Sequence, residues 1–252
     1  MSHYKVGVLT KSPVESEYDI EDILEKYSEH LEVPKYIYRT KEQIIESAKN
    51  YQNILKDRNK PEDELSDWEY SLLNANTDDE FFEVEASKDS LDEDGNEWST
   101  YNPNSKWDYY SIVEPEMFTK MFIENTSSVS LKDYKNTFLD EVESITELKN
   151  KYPSEFQEYT HLITNGDFYK PEYYQGKYPT FYSYLKNHAT YIPWALLIEE
   201  GDDSVWIEPG KVGWFGTTDA SIEDERDWPT RYEDLIKDKS DDLYITFIDC
   251  HI

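Results

Sequence analysis

A large excess of acidic over basic side chains is the feature that most limits how this chain can fold. The 252 residues include 55 Asp or Glu against 25 Lys or Arg, and the formal net charge is −30. Highly charged chains that are poor in aromatic residues stay disordered. Here aromatic residues reach 15%, although all hydrophobic residues together make up only 37%. Because each aromatic ring buries a large area, we predict a core rich in Tyr and Trp beneath a shell of carboxylates.

The cysteine content indicates a reducing compartment. Cys250 is the one cysteine of the chain, so no internal disulfide is possible. Residues 1–10 contain no charged segment followed by a long apolar run, as a signal peptide would. No stretch approaches the roughly eighteen apolar residues of a membrane span. We therefore expect a cytoplasmic protein.

The charge also limits the choice of partner. Nucleic acids and anionic membranes are bound through clustered Lys and Arg. The Arg residues here are Arg39, Arg58, Arg226 and Arg231. We expect no direct binding to nucleic acid or to a membrane, and a basic protein is the partner that this charge would attract. Solubility alone is the competing explanation of the charge.

The pattern of apolar residues predicts an α+β fold with a mixed or antiparallel sheet, packed helices and an aromatic-rich core. The predicted strands are residues 4–8, 36–38, 194–199, 205–208, 211–215 and 243–250. The predicted helices are residues 16–31, 40–55, 130–150, 154–162, 181–188 and 229–236. Turn signals at residues 201–203 and 209–210 predict that strands 194–199, 205–208 and 211–215 form a meander.

Some of these helices carry recognisable start signals. Thr40 and Gln43 form a capping box, and Ser130 is an N-cap residue. Pro229 is a residue type that often begins a helix. After Ser130, helical spacing is kept by Leu131, Tyr134, Phe138, Val142, Ile145 and Leu148. That stripe predicts one continuous helix over residues 130–150.

Residues 57–97 form the most acidic segment, with sixteen Asp or Glu against three Lys or Arg. We interpret the chain as a single domain, residues 1–252, with an acidic surface insertion or arm at about residues 57–97. A basic partner would contact this segment first. The candidate contacts are Glu62, Asp63, Glu64, Asp67, Asp92, Glu93 and Asp94.

Two aromatic segments could line a pocket. The candidates are Trp107, Tyr109, Tyr110 and Trp214. Aromatic platforms that stack nucleic acid bases come with basic grooves, and the sequence has no basic cluster here. Packing in the core is the favoured alternative for these rings.

The terminal Asp249-Cys250-His251 is the most suggestive triplet for chemistry. Neighbouring residues of a strand point to opposite faces, so Cys250 and His251 would not meet as nucleophile and base. Asp249 and His251 share a face and could orient each other in a pocket. The alternative is a strand with Cys250 in the core. No histidine pair has metal-ligand spacing and no catalytic or phosphate-binding motif occurs, so we assign no catalytic residue, metal or cofactor.

Five segments distributed along the chain form a recognisable combination. They are Asp22–Tyr27 with Leu31–Val33, Thr40–Ile45, Asn102–Tyr110, Gly210–Gly216 and Ile248–Ile252. With these segments the chain resembles a family of uncharacterised proteins found mostly in bacteriophages and prophages. The resemblance spans most of the chain and implies a phage setting, but no established activity. In that family the Trp-Asp segment precedes Gly-Gly-Arg-Trp, whereas residues 112–116 here read Ile-Val-Glu-Pro-Glu, so the role of that element is not carried over.

Three functions compete. The first is an acidic interaction protein of a phage that mimics nucleic acid and inhibits a basic, nucleic-acid-binding or defence protein in the host cytoplasm. The second is a phage accessory or structural protein whose charge serves solubility. The third and least favoured is a small enzyme or ligand-binding protein that uses Asp249 and His251. The sequence leaves the oligomeric state open.

Overall fold

The structure is a computed structural model of the chain. It describes residues 3–58, 61, 64–113, 127–139, 144–189, 191–200, 203–213 and 217–252. Within these ranges it contains ten α-helices, a mixed six-stranded sheet and a separate two-stranded sheet, which confirms the predicted α+β fold. In the same ranges, no helix has both the length and the apolar content that are needed to cross a bilayer.

The chain forms two compact units. Unit 1 comprises Met1–Leu31 and Asn104–Ile252, and unit 2 comprises Glu32–Pro103. Unit 2 is thus inserted into the chain of unit 1. The acidic segment 57–97 lies within unit 2, which begins before that segment and ends after it.

The mixed sheet belongs to unit 1. Its strands are β1 (His3–Thr10), β4 (Tyr109–Ile112), β5 (Ser128–Ser130), β6 (Ala195–Glu200), β7 (Asp203–Ile207) and β8 (Tyr244–His251). The order is β4-β8-β1-β6-β7, and β5 pairs with β8 beside β4. The β1–β6 pair is parallel, and the other pairs are antiparallel. Strand β8 is therefore paired along both edges.

The central strands β1, β6 and β8 are buried on both faces, because successive side chains of a strand point in opposite directions and both sets pack in a core cluster. One face packs Leu9, Leu196 and Phe247 against helices α5 (Leu131–Lys135) and α10 (Ile222–Lys237). The opposite face packs Val6, Leu197 and Ile248 around helix α1 (Glu21–Glu25). Strands that are buried on both faces read as nearly continuous apolar runs, which is how β6 reads in the sequence.

A further cluster of unit 1 is rich in aromatic rings. It lies among helices α6 (Ile145–Lys151), α7 (Pro153–Asn165), α8 (Pro171–Lys177) and α9 (Phe181–Asn187). Tyr159, Phe181 and Tyr184 are buried there with ring centroids 5.5–6.2 Å apart. The predicted aromatic-rich core is thereby confirmed.

The predicted helix over residues 130–150 is wrong, because two helices occupy that stretch. Helix α5 starts at the predicted cap, with the Ser130 hydroxyl accepting a hydrogen bond from the Asp133 amide, but it ends at Lys135. Ser144 then caps α6 by accepting hydrogen bonds from two amides. The apolar spacing continues across the break although Leu131 and Leu148 pack in different clusters. Val142 lies outside the described residues.

The predicted helix over residues 16–31 is also shorter than expected. A 3₁₀ turn (Glu17–Asp19) precedes α1, which ends at Glu25. Beyond that point the backbone bonds to another segment, since the Lys106 amide donates to the Tyr27 carbonyl and the Glu29 amide donates to the Trp107 carbonyl. Backbone groups that are committed to this pairing cannot continue a helix.

Two further predictions near the end of the chain are wrong, one for the start of a helix and one for a strand. Pro229 lies inside α10, which begins after a capping box formed by Ser221 and Asp224. The third strand of the predicted meander, residues 211–215, is not formed over residues 211–213, where Val212 makes an isolated bridge to Thr218. Phe215 lies outside the described residues.

Unit 2 packs three helices beside a short antiparallel sheet of two strands. The strands are β2 (Tyr36–Arg39) and β3 (Glu97–Ser99), and the helices are α2 (Lys41–Arg58), α3 (Asp67–Asn74) and α4 (Asp78–Glu85). The predicted capping box at Thr40 and Gln43 begins α2. The core of the unit consists of Ala48, Leu55, Leu72, Ala75 and Phe81.

An ion pair with little exposure joins β2 to β3. The Arg39 guanidinium donates to both oxygens of Glu97, at 2.8 and 3.0 Å, and to Glu85 at 3.1 Å. The Glu97 side chain is only 3% exposed. Burial alone would raise the pKa of Glu97, but the bonds from Arg39 and from the Ser87 amide outweigh it and lower the pKa. Glu97 is therefore a structural carboxylate of the acidic segment.

We expect Arg39→Ala to lower the free energy of unfolding by about 3 kcal/mol, because it leaves the Glu97 carboxylate buried without its partner. Lys49→Ala is the matched control, since the Lys49–Asp78 pair of the same unit is exposed and its loss should have a much smaller effect. Urea denaturation followed by circular dichroism measures both variants. Equal losses for the two variants would contradict this role of Arg39.

Candidate functional site

The acidic candidates occupy two places in unit 2. Glu64 and Asp67 are exposed at the start of α3, and Glu93 and Asp94 are exposed on the loop before β3. Glu62 and Asp63 lie outside the described residues. The fifth described candidate, Asp92, has a different environment.

Asp92 holds its own loop together and is not a free surface charge. Its carboxylate accepts hydrogen bonds from the Asn96 amide at 2.8 Å, the Asp94 amide at 2.9 Å and the Asn96 side chain at 3.1 Å. These bonds, led by the one from the Asn96 amide, lower the pKa of Asp92. Gly95 completes the turn with a φ of 82°, a conformation that glycine adopts without strain. Asp92 therefore has a structural role in this loop, and its contact with a partner stays a prediction.

An exposed apolar patch lies on unit 2 beside Asp67. We define it as Tyr51 and Ile54 of α2 with Trp68 of α3, which are 48%, 47% and 38% exposed. The Tyr51 and Trp68 rings meet edge to face with centroids 5.7 Å apart. Asp67 immediately precedes Trp68 in α3.

The helical spacing of Ile44, Ala48, Tyr51 and Leu55 predicts that Tyr51 lies on the buried face of α2, so this patch is not evident from the sequence. Gln52 is buried in its place, because its side-chain amide donates to the Leu72 and Ala75 carbonyls, each at 2.8 Å. Those carbonyls are at the end of α3, where helix carbonyls lack partners within the helix. The helical spacing contained no signal that a polar residue would be buried here.

Three of the four aromatic residues that were predicted to line a pocket come together around an open depression of about 520 Å³ in unit 1. Trp107, Tyr109 and Tyr110 line it, whereas Trp214 lies outside the described residues. The other residues that line the depression are Ser16, Glu17, Tyr18, Glu21 and Asp108. Pairing of β4 with residues 248–251 of β8 places the aromatic segment at this edge of the sheet.

Two of the rings are held by hydrogen bonds as well as by packing. The Trp107 indole donates to the Leu24 carbonyl at 3.3 Å, and the Tyr110 hydroxyl donates to the Glu17 carbonyl at 3.3 Å. The two rings meet edge to face with centroids 4.9 Å apart. These two rings are therefore held in place by the protein itself, and positioned groups lower the entropic cost of binding a ligand.

The electrostatic potential in this depression is negative. Burial, followed by the charges of Glu17 and Glu21, raises the pKa of Tyr110 to about 12. The cause is that a negative tyrosinate is disfavoured both by desolvation and by nearby carboxylates. No lysine or arginine is among the described residues that line the depression.

Asp249 and His251 do not orient each other, because each of them contacts a different residue. His251 Nδ1 lies 2.6 Å from an oxygen of Asp108, and Asp249 lies 3.0 Å from Nδ1 of His3. The His3 and His251 rings are 5.0 Å apart. Neither Asp249 nor His251 is among the residues that line the depression, and His251 adjoins it through Asp108.

Cys250 points to the opposite face of β8 and packs in the core with Tyr4, Val6 and Ile248. Burial, followed by the charges of Asp249 and Asp108, raises the pKa of the Cys250 thiol well above its ordinary value. A nucleophilic cysteine requires the opposite shift. Across the described ranges, no three His, Cys, Asp or Glu side chains group as metal ligands.

The sequence did not signal a buried polar network in unit 1. Glu233 of α10 accepts hydrogen bonds from Lys186 at 2.7 Å and from the Tyr191 hydroxyl at 3.0 Å. The Leu139 amide in turn donates to the Tyr191 hydroxyl at 3.0 Å. Because these charged and polar groups pair with each other, the network joins elements of the fold and has a structural role.

Comparison with known proteins adds no relative: no family model, no curated protein and no solved structure matches this chain. Function must then be inferred from the geometry and charge described above.

We expect Cys250 to be inert to a thiol reagent such as DTNB in the folded protein, because the thiol is buried and its pKa is raised. One thiol per chain should react after unfolding in urea. Absorbance of the released thiolate measures both states. Rapid reaction of the folded protein would show that the Cys250 face of β8 opens to solvent.

We expect Glu17→Gln/Glu21→Gln to lower the pKa of Tyr110 from about 12, because two of the charges that oppose tyrosinate are removed. Burial should still hold this pKa above the ordinary value of about 10. The measurement is an NMR titration of the ring carbon signals of tyrosine. Asp167→Asn/Glu172→Gln is the control, since it removes two exposed charges of unit 1 that do not line the depression. An unchanged Tyr110 pKa in the variant of Glu17 and Glu21 would contradict the view that these two carboxylates make the potential at Tyr110 negative.

Proposed function

We propose that this chain is an acidic interaction protein that binds a basic protein partner through the exposed patch of unit 2. The observation that carries the proposal is the edge-to-face pair of Tyr51 and Trp68, exposed beside Asp67. Exposed aromatic groups of this kind mark protein interfaces, where Trp and Tyr contribute much of the binding free energy.

Two exposed carboxylates of unit 2, one of them next to Trp68 in the chain, support a basic partner. Within the described residues, the carboxylates of Glu64 and Asp67 have no hydrogen-bond or ion-pair partner. Unpaired surface charges increase the rate at which an oppositely charged protein associates. The aromatic pair would supply affinity at the centre of the contact, and the carboxylates would supply selection for positive charge.

The resemblance to phage proteins suggests what the basic partner is. We propose a nucleic-acid-binding or defence protein in the host cytoplasm, whose binding site this chain occupies as a nucleic acid would. Carboxylates on helices present negative charge as phosphates do, although at lower density than the roughly one charge per 1.7 Å of duplex DNA. Inhibition of that host protein would be the consequence.

Charge that serves only solubility and local structure is the second candidate, and helix capping favours it. Among the described α-helices, three begin with a capping box that ends in an acidic residue: Ser66–Glu69 for α3, Thr77–Glu80 for α4 and Ser221–Asp224 for α10. In them hydrogen bonds lower the pKa of Glu80 and of Asp224. Part of the acidity therefore stabilises helices. The third candidate is a small enzyme or ligand-binding protein that uses Asp249 and His251, and the contacts described for these two residues give it no support.

The test is capture of proteins from a bacterial lysate by the immobilised full chain, with mass spectrometry as the readout. We expect a nucleic-acid-binding protein that salt releases, and that duplex DNA displaces better than polyglutamate at equal charge. The polyglutamate comparison separates mimicry of DNA from general attraction between opposite charges.

Variants decide whether the patch is responsible. Tyr51→Ala/Trp68→Ala should reduce capture by about tenfold or more if both rings are central to the contact. Tyr38→Ala/Tyr70→Ala is the matched control, since it removes two exposed tyrosines of unit 2 outside the patch. Capture that is insensitive to DNA and equal in both variants would leave solubility as the reason for the charge.

A further inference from the structure

The depression of unit 1 combines aromatic rings with carboxylates around one open volume. Four rings line it, from Tyr18, Trp107, Tyr109 and Tyr110, together with the carboxylates of Glu17, Glu21 and Asp108. The face of an aromatic ring attracts a cation through the ring quadrupole, and a carboxylate attracts it through its charge. Both kinds of group therefore favour a positively charged ligand.

Two of the carboxylates are available to a ligand. Within the described residues, neither Glu17 nor Glu21 has an ion pair or a side-chain hydrogen bond, and both are exposed. Asp108 is partly occupied, because one of its oxygens lies 2.6 Å from Nδ1 of His251. Glu17 and Glu21 are thus the two charges that a ligand can engage without breaking an existing contact.

The same lining disfavours other classes of ligand. An anion would meet no lysine or arginine among the described residues of the depression. A metal ion requires grouped ligands, and the described part of the chain contains no group of three suitable side chains. A small metabolite requires a pocket that buries most of its surface, whereas this depression is open and has Tyr18 and Tyr109 exposed at its rim.

We propose that the depression binds the guanidinium of an arginine side chain presented by a protein partner, with the cation over the aromatic rings and its N–H groups on Glu17 and Glu21. Arginine fits because its planar fork can stack on a ring while it donates to carboxylates. An open depression suits a side chain that extends from a larger molecule. This inference rests on the proposed function, since the basic partner supplies the arginine.

The test uses the full chain and a short arginine peptide, Gly-Arg-Gly with blocked termini, with the isosteric citrulline peptide as its uncharged counterpart. Nitrogen–proton NMR spectra follow the indole signal of Trp107, which the Trp107→Phe variant assigns. We expect saturable shifts of that signal with the arginine peptide and none with the citrulline peptide. Equal shifts with both peptides would overturn the requirement for a cation.

Charge variants then locate the contact. Glu17→Gln/Glu21→Gln should weaken binding of the arginine peptide about tenfold, which is the effect of losing two surface ion pairs of usual strength. Asp167→Asn/Glu172→Gln removes the same charge elsewhere on unit 1 and should weaken binding by no more than about twofold. Equal weakening in the two variants would mean that overall charge attracts the peptide, and would overturn the proposal.

Failure of the arginine site and failure of the proposed function give different experimental results. If the arginine peptide does not shift the Trp107 signal while the lysate capture still depends on Tyr51 and Trp68, the depression is not an arginine site and the interaction through unit 2 stands. If the peptide binds with the expected dependence on Glu17 and Glu21 but no DNA-displaceable protein is captured, the arginine site stands and nucleic acid mimicry fails.

Discussion

Hydrogen bonding along both edges of β8 is the interaction on which unit 1 depends. One edge pairs with β1 through eight residue pairs, and the other is shared by β4 and β5. This central position buries Ile245 and Phe247 on one face and Ile248 and Cys250 on the other. The register of β4 on β8 also decides where Trp107, Tyr109 and Tyr110 lie. The depression is thus a consequence of how β4 pairs with β8.

The acidic residues of the chain serve several purposes, and the fold separates them. Some cap helices, as Glu80 and Asp224 do, and Asp92 organises a loop. Others are buried with a cation, as Glu97 is with Arg39 and Glu233 is with Lys186. Net charge therefore overstates the charge that is free to act on a partner. The functional proposals rest on carboxylates that have none of these structural partners, such as Asp67 in unit 2 and Glu17 and Glu21 in unit 1.

Both proposed contacts use the same chemistry, in which aromatic rings lie beside carboxylates. In unit 2 the rings are exposed on helices and form a surface patch, whereas in unit 1 they line a depression. The patch offers apolar area to a protein interface, and the depression offers a place for one cationic group. A basic partner meets the requirements of each, because carboxylates select for positive charge while the rings contribute contact area.

The sequence alone determined the class of fold and several of its elements. Alternation predicted β1, an apolar run predicted β6, and the capping residues Thr40 and Ser130 marked where α2 and α5 begin. These signals work because backbone hydrogen bonding and side-chain periodicity are local. The sequence also indicated Trp107, Tyr109 and Tyr110 as candidate pocket residues, because these large aromatic residues lie close together in one short segment.

Only the tertiary structure decided which residues of each candidate set act together. One apolar stripe was divided into α5 and α6 because Leu131 and Leu148 pack in different clusters. Gln52 was buried and Tyr51 exposed because the end of α3 supplies carbonyls for the Gln52 amide. His251 contacts Asp108 rather than Asp249 because the register of β4 brings residues 108–112 against β8. Each outcome depends on groups far apart in the chain, and local periodicity contains no information about such partners.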